Sequence, residues 1–305
     1  MNPPRLSVDI CIASFRRPAL LGELLAALTR QSSAAAVRVI VIDNDAAGSA
    51  RAVVEAHAAG APYPVLYAIE PQQNIALARN RALRMASSDW IVFIDDDEQP
   101  VDGWLQALLA CAARFQAQLV FGPVDSRLPP GLPAWLAAPF AKAPRPTGTP
   151  VTLGGAGNVL IERAALARVS PWFDPAFGLT GGEDTDLFYR LHLAGATMVW
   201  CDEARCSEAV PGERLQLAWL RRRAYRGGQT YYRVVVRRYS RPRLAAWFAL
   251  KLAQLGAGAL AAPLLRVASY PAFVALSLRL AGAAGQLTRS LRWRDLEEYR
   301  VRPRS

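Results

Sequence analysis

The sequence predicts an α/β fold on a mostly parallel sheet, followed by a basic, apolar helical region. Three observations predict it. Short apolar runs alternate with amphipathic segments up to residue 122, polar residues cluster where those runs end, and charge and composition change together near residue 213. A β-α-β-α order implies parallel strands with helices on both faces.

In order, the apolar patterning predicts strands at 8–13, 37–42 (VRVIVI), 65–68, 90–94 (WIVFI) and 119–122. The continuous apolar run of 90–94 marks a strand buried on both faces. Between them, helices are expected at 19–31, 49–59, 75–86 and 104–115. Eight prolines in 123–150 break the pattern and predict an irregular loop or short excursion. A strand at 158–161, a helix at 163–169 and a helix from about Asp184 to Gly195 complete the domain, whose expected bounds are 1–215.

Composition excludes several classes. With 305 residues and 52% hydrophobic content, the chain can bury a large core. Its four cysteines form no CxxC pair, so buried reduced thiols are expected. His57 and His192 are the whole histidine complement, which removes histidine-rich zinc sites and most histidine triads. No GxSxG, HExxH or GxxxxGK[ST] occurs. Residues 1–18 contain no long apolar stretch, so no secretory signal is expected.

The polar residues carry the functional argument. The first strand runs into Ser14, Arg16 and Arg17, the second into Asp43, Asn44 and Asp45, the fourth into Asp95, Asp96 and Asp97. In an open parallel sheet the carboxyl ends of the strands face the ligand crevice. Three adjacent carboxylates repel one another unless a cation neutralises them. Asp95 and Asp97, two apart in extended chain, can face one way. Mg²⁺ is commonly held by one or two carboxylates plus substrate phosphates. A solvated acidic turn is the plainer alternative, disfavoured by the buried strand that precedes it. Downstream, GGEDTDLFYRL sets Glu183, Asp184 and Asp186 at a helix start. Helix capping accounts for one such acid, and a general base for an acceptor hydroxyl accounts for another. The glycine-rich stretch 154–158 fits a tight turn beside a substrate or simple loop geometry equally well.

Taken in order, CIASFRRP, VIDNDAAGS, NIALARNRAL, WIVFIDDDEQP, GAGNVLI and GGEDTDLFYRL resemble the family 2 glycosyltransferases of GT-A fold, especially bacterial polysaccharide-assembly members, over roughly residues 6–215. The resemblance implies an inverting enzyme acting on a nucleoside-diphosphate sugar, a UDP-sugar first among them, and on a glycan or lipid-linked acceptor. It implies a donor pocket lined by Ser14, Arg16, Asp43, Asn44, Asp45, Arg79, Asn80 and Asp96. It further implies Mg²⁺ or Mn²⁺ on Asp95 and Asp97, Asp184 as base with Glu183 beside it, and Asn158 and Asp186 on the acceptor side. Asn44 departs from the two aspartates common at that position. A nucleotidyltransferase acting on a sugar phosphate and an inactive sugar-binding homologue stay open as alternatives.

Residues 213–305 hold 19 Arg and Lys against 4 Asp and Glu, a net of +15, while residues 1–212 sum to −4. Such a region suits an anionic surface. Nucleic acid is disfavoured, because the acidic strand ends would repel phosphate. Apolar stretches at 252–265 and 267–278 fall short of the ~20 residues of a span, and Pro263 and Pro271 are expected to interrupt them. The favoured reading of 216–305 is amphipathic helices in the membrane interface. A soluble bundle and one true span, from 244 to 265, stay open. The expected location is the cytoplasmic side of the inner membrane, peripheral or monotopic.

Overall fold

The computed structural model describes residues 6–31 and 33–298. The outermost parts of the two terminal readings, residues 1–5 and 299–305, lie outside the described residues. Two compact units divide the chain. Among described residues, 6–31, 33–125 and 142–209 form the first, and 126–141 with 210–298 form the second.

In chain order the elements are β1 (Ser7–Ser14), α1 (Pro18–Thr29), β2 (Ala36–Asp43), α2 (Arg51–Ala58), β3 (Val65–Ile69), α3 (Ile75–Met85), β4 (Trp90–Ile94) and β5 (Glu98–Pro100). Then come α4 (Trp104–Phe115), β6 (Leu119–Phe121), β7 (Val124–Arg127), the single turn α5 (Ala134–Ala137), β8 (Asn158–Glu162), α6 (Glu183–Leu193), β9 (Met198–Trp200) and β10 (Cys206–Ala209). The main sheet has the order β3-β2-β1-β4-β8-β6-β9, with β8 alone antiparallel to its neighbours.

Burial on both faces explains the continuous apolar strands. Val8, Ile10 and Ile12 of β1 join Leu21, Leu24, Leu25, Trp104 and Leu108 on one face. Cys11, Ile40 and Ile42 join Ala78, Leu83, Leu187 and Phe188 on the other. The four cysteines are buried and free. Register then sets the polar ends level. Ser14 lies opposite Asp43, and Ile94 opposite Asn158, so β1, β2, β4 and the start of β8 share one edge.

Several expectations need correction. The 163–169 segment is a 3-10 helix, Arg163–Arg168. Of the two readings of the proline-rich stretch, the short excursion holds, since it contains β7 and α5. Strands β5, β9 and β10 have no counterpart among the expected elements. Each has three or four residues, too short for periodicity, and is fixed by distant pairing such as Glu208 opposite Glu98.

In the second unit, α7 (Leu217–Val234) packs on α9 (Tyr270–Ser290), and α8 (Arg241–Ala268) packs on α9. Glycines permit the close crossing of α7 and α9. A Cβ on Gly285 would overlap the Tyr225 carbonyl oxygen, and one on Gly228 would overlap that of Gly282. Pro263 does not interrupt α8, which continues through it. The ring removes one N–H from the ladder, and the flanking turns carry the helix on. Pro271 instead sits in the first turn of α9, where its missing N–H has no intrahelical partner to lose. The most apolar 18-residue window of the resulting 28-residue α8 has a mean hydropathy of 1.5, with 6% of it buried. It is long and apolar enough to cross a membrane by length and composition. The chain end also neutralises part of the basic charge. Asp295 pairs with Arg233 at 3.1 Å and Arg289 at 3.0 Å, and Glu298 with Arg226 at 3.7 Å.

Candidate active site

The crevice is built where β1, β2 and β4 end. Ser14 closes β1, and its hydroxyl donates to Asp96 Oδ2 at 2.8 Å. Arg16 adopts a left-handed backbone, φ +55°, where the chain leaves the strand. Its guanidinium lies over the Phe15 ring and pairs with Asp45 at 3.2 Å. Burial acts to raise the Asp45 carboxyl, yet Arg16 and the Ala47 amide outweigh it and hold it below its ordinary range. Arg17, at the N-terminus of α1, donates to Asp96 at 3.2 Å and Asp97 at 2.9 Å. Burial pushes the Asp96 carboxyl up to about 6 despite the opposing pull of Arg17 and Ser14.

Asp43 and Asn44 are bound up in the chain itself. Asp43 accepts from the amides of Asp45 and Ala50 and from the Tyr67 hydroxyl, which shapes the 44–50 loop. Asn44 donates to the carbonyls of Glu70 and Gln72 and accepts from the Asn74 amide, so it fixes the turn into α3. Asn80 likewise makes a reciprocal pair with the backbone of Phe173.

Arg79, buried on α3, joins the two acidic motifs. It donates to Asp95 Oδ1 at 2.9 Å and to Glu183 Oε1. Glu183 and Asp184 open α6 after Gly181 and Gly182, whose φ values of +76° and +94° admit few other residues. Burial, and then Asp184, push the Glu183 carboxyl up to about 7, with Arg79 opposing. Its Oε2 is buried with no hydrogen-bond partner among the described residues. Asp184 is only partly buried. The Ala156 amide reaches its Oδ2 at 3.3 Å, and the Thr185 amide its Oδ1 at 2.6 Å.

The remaining two residues are held structurally. Asn158 donates to the carbonyls of Pro123 and Ala204 and accepts from the Trp104 indole, all while buried. Asp186 accepts from Arg190 at 2.7 Å one helical turn on. Sequence reasoning misses Arg17 as a partner of Asp96 and Asp97, and misses Glu98. Glu98 is buried, accepts from the Asp95 amide, and is pushed well above its ordinary pKa by burial and by Asp95. Its place next to the acidic triplet is the signal that could have found it.

An open, mostly parallel sheet with acidic and basic groups gathered at its strand ends defines an α/β protein with its ligand crevice at that edge. Residues 9–169 match the model of Glycosyl transferase family 2, and residues 143–285 that of Glycosyl transferase family group 2. The Succinoglycan biosynthesis protein ExoM of Rhizobium meliloti (strain 1021) is 36% identical over 304 residues, 97% of each chain. The chain therefore belongs to glycosyl transferase family 2. Solved structures agree on the fold. The mannosyltransferase PcManGT from Pyrobaculum calidifontis, in complex with GDP-Man and Mn²⁺, aligns with a TM-score of 0.64 at 19% identity, covering 93% of this chain and 87% of that one. Residues 1–349 of S. aureus TarS, in complex with UDP-GlcNAc, align with a TM-score of 0.56 at 15% identity, covering 94% and 92%.

Proposed function

We propose that this glycosyltransferase moves a sugar from a nucleoside diphosphate onto a hydroxyl of a glycan or lipid-linked glycan, with inversion, in bacterial exopolysaccharide assembly. The likeness to a succinoglycan biosynthesis protein supports the process, and relatives solved with GDP-Man and UDP-GlcNAc support the donor class. One observation carries the mechanism: Arg79 bridges Asp95 and Glu183, so the acidic strand end and the acidic helix start form one site.

Asp184 is the general base. The Ala156 and Thr185 amides hold its carboxylate, which takes the proton of the acceptor hydroxyl. The hydroxyl oxygen bonds to the anomeric carbon as the bond to the diphosphate breaks on the opposite face, which inverts that carbon. Arg79 and Arg17 would stabilise negative charge on a leaving diphosphate electrostatically. Ser14 orients Asp96, and Asn44 and Asn80 hold the loops against which the donor lies.

Asp95 and Asp97 would hold Mg²⁺ or Mn²⁺. Among described residues no three-ligand protein cage is assembled, which suits a cation that completes its shell with phosphate oxygens. Gly157 keeps the space beside Glu98 and Asp95 clear, since a Cβ there would overlap Glu98 Oε1 and lie 3.2 Å from Asp95 Oδ2. Such an ion supplies Lewis-acid charge for the diphosphate.

The test is release of nucleoside diphosphate from a panel of UDP-, GDP- and dTDP-sugars with Mn²⁺ or Mg²⁺. Release from one donor, lost in Asp184→Asn with donor binding retained, is expected. Full turnover in Asp184→Asn removes the base assignment.

A further inference from the structure

A cavity of about 550 Å³ adjoins Asp184, and the chemistry of its wall goes beyond what transfer to a neutral sugar requires. Its lining includes Thr185, next to Asp184, and Gly155, whose added Cβ would lie 3.4 Å from Asp184 Oδ2. Two lining residues are charged, Lys142 and Arg145, and both are cationic. Neither has a carboxylate partner among the described residues. Lys142 donates to the Val124 carbonyl, and Arg145 lies 5.3 Å from the centre of the Trp200 ring, itself part of the wall. The cations of the acidic motifs differ in this respect, since Arg16, Arg17 and Arg79 are all ion-paired.

Resting on the reading of Asp184 as base, we infer that the cavity receives an acceptor sugar bearing an anionic group, a carboxylate or a phosphate monoester, bound by Lys142 and Arg145. Electrostatics favour such a pair. An anion approaching Asp184, whose partners among the described residues are amides and a hydroxyl rather than a cation, meets like charge, which disfavours the encounter unless nearby cations offset it. Arg145, exposed and set against an indole, presents a fork matched to carboxylate and phosphate oxygens. The apolar wall of Phe121, Val151 and Leu153 gives a sugar ring a face to cover.

The experiment is calorimetric binding of three probes to the whole chain saturated with Mn²⁺ and its best-bound nucleoside diphosphate. The probes are cellobiose, cellobiouronic acid and cellobiose carrying a terminal phosphate monoester. One charged probe is expected to bind about tenfold more tightly than cellobiose. Arg145→Gln and Lys142→Gln should each erase most of that advantage while leaving nucleotide binding unchanged. Preference for the uronate names a carboxylate acceptor, and preference for the phosphate probe names a phosphorylated one. Equal binding of all three, or an advantage that survives both substitutions, overturns the inference and leaves the glycosyltransferase reading intact. If no nucleoside diphosphate binds but the charge preference persists, the donor reading falls and the anion site stands.

Discussion

Arg79 concentrates the risk at this site. It is buried, Glu183 is buried, and Arg79 is the cation that compensates both Glu183 and Asp95. Breaking a buried ion pair by removing one partner costs about 3–5 kcal/mol. Arg79→Met is therefore expected to lower unfolding stability by that order in urea titration, and a loss below about 1 kcal/mol would contradict the pairing. Glu183 adds a pH signature. Its folded pKa of about 7 exceeds its ordinary value of 4.5, so the native state holds a proton that the unfolded chain releases between them. Its contribution to stability is full below the lower value and declines as pH rises through the higher one. Glu183→Gln should flatten stability against pH in that window. Asp9 acts with the opposite sign. Burial works to raise its pKa, yet Arg38 and the Ser87 and Ser88 amides outweigh that and lower it, so its contribution is lost as pH falls through that depressed value.

At the scale of elements, glycines decide where helices start and how closely they cross. Gly285→Ala would drive a methyl into the Tyr225 carbonyl, and overpacking of this kind costs about 1–3 kcal/mol. Its thermal midpoint should fall, whereas Gly256→Ala, with nothing within 4 Å of the added Cβ, should not lower it. Long periodic elements are legible in the sequence alone. The apolar pattern gives the bounds of β4, 90–94, and of α4, 104–115, to the residue, because burial writes a continuous apolar run into the first and a helical period into the second. The short strands β5, β9 and β10 leave no such period, since their pairing partners are remote. Of the 28-residue α8 only 252–265 reads in the sequence as an uncharged apolar run, because Lys251 and Arg266 bound it.

Across the whole molecule, charge and apolarity separate. The sheet unit carries the acidic crevice, and the helical unit carries the exposed apolar α8, with Leu260 77%, Leu264 74% and Val267 91% exposed. We propose that this surface meets lipid at the cytoplasmic face of the inner membrane. Replacing these three by Gln should shift the protein from the membrane pellet to the supernatant after a high-salt wash. Each buried side chain of this size contributes about 1.5–3 kcal/mol. Unchanged sedimentation would argue for a helix covered by protein. Chelation of divalent ions should abolish transfer, with recovery on adding Mn²⁺ and no change in the melting curve.

Alternation of apolar runs and helices determined the open α/β sheet, and the polar strand ends marked the crevice, because burial periodicity and strand-end polarity are local properties of the chain. The candidate residues Ser14, Asp95 to Asp97, Glu183 and Asp184 were legible for the same reason. Only the tertiary structure decided how each acid is occupied. It bound Asp43, Asn44, Asn80, Asn158 and Asp186 into the scaffold and set Arg17 against Asp96 and Asp97. It also left Lys142 and Arg145 without carboxylates among the described residues. A side chain's partners come from elements far apart in sequence, and register and packing, which no local pattern encodes, bring them together.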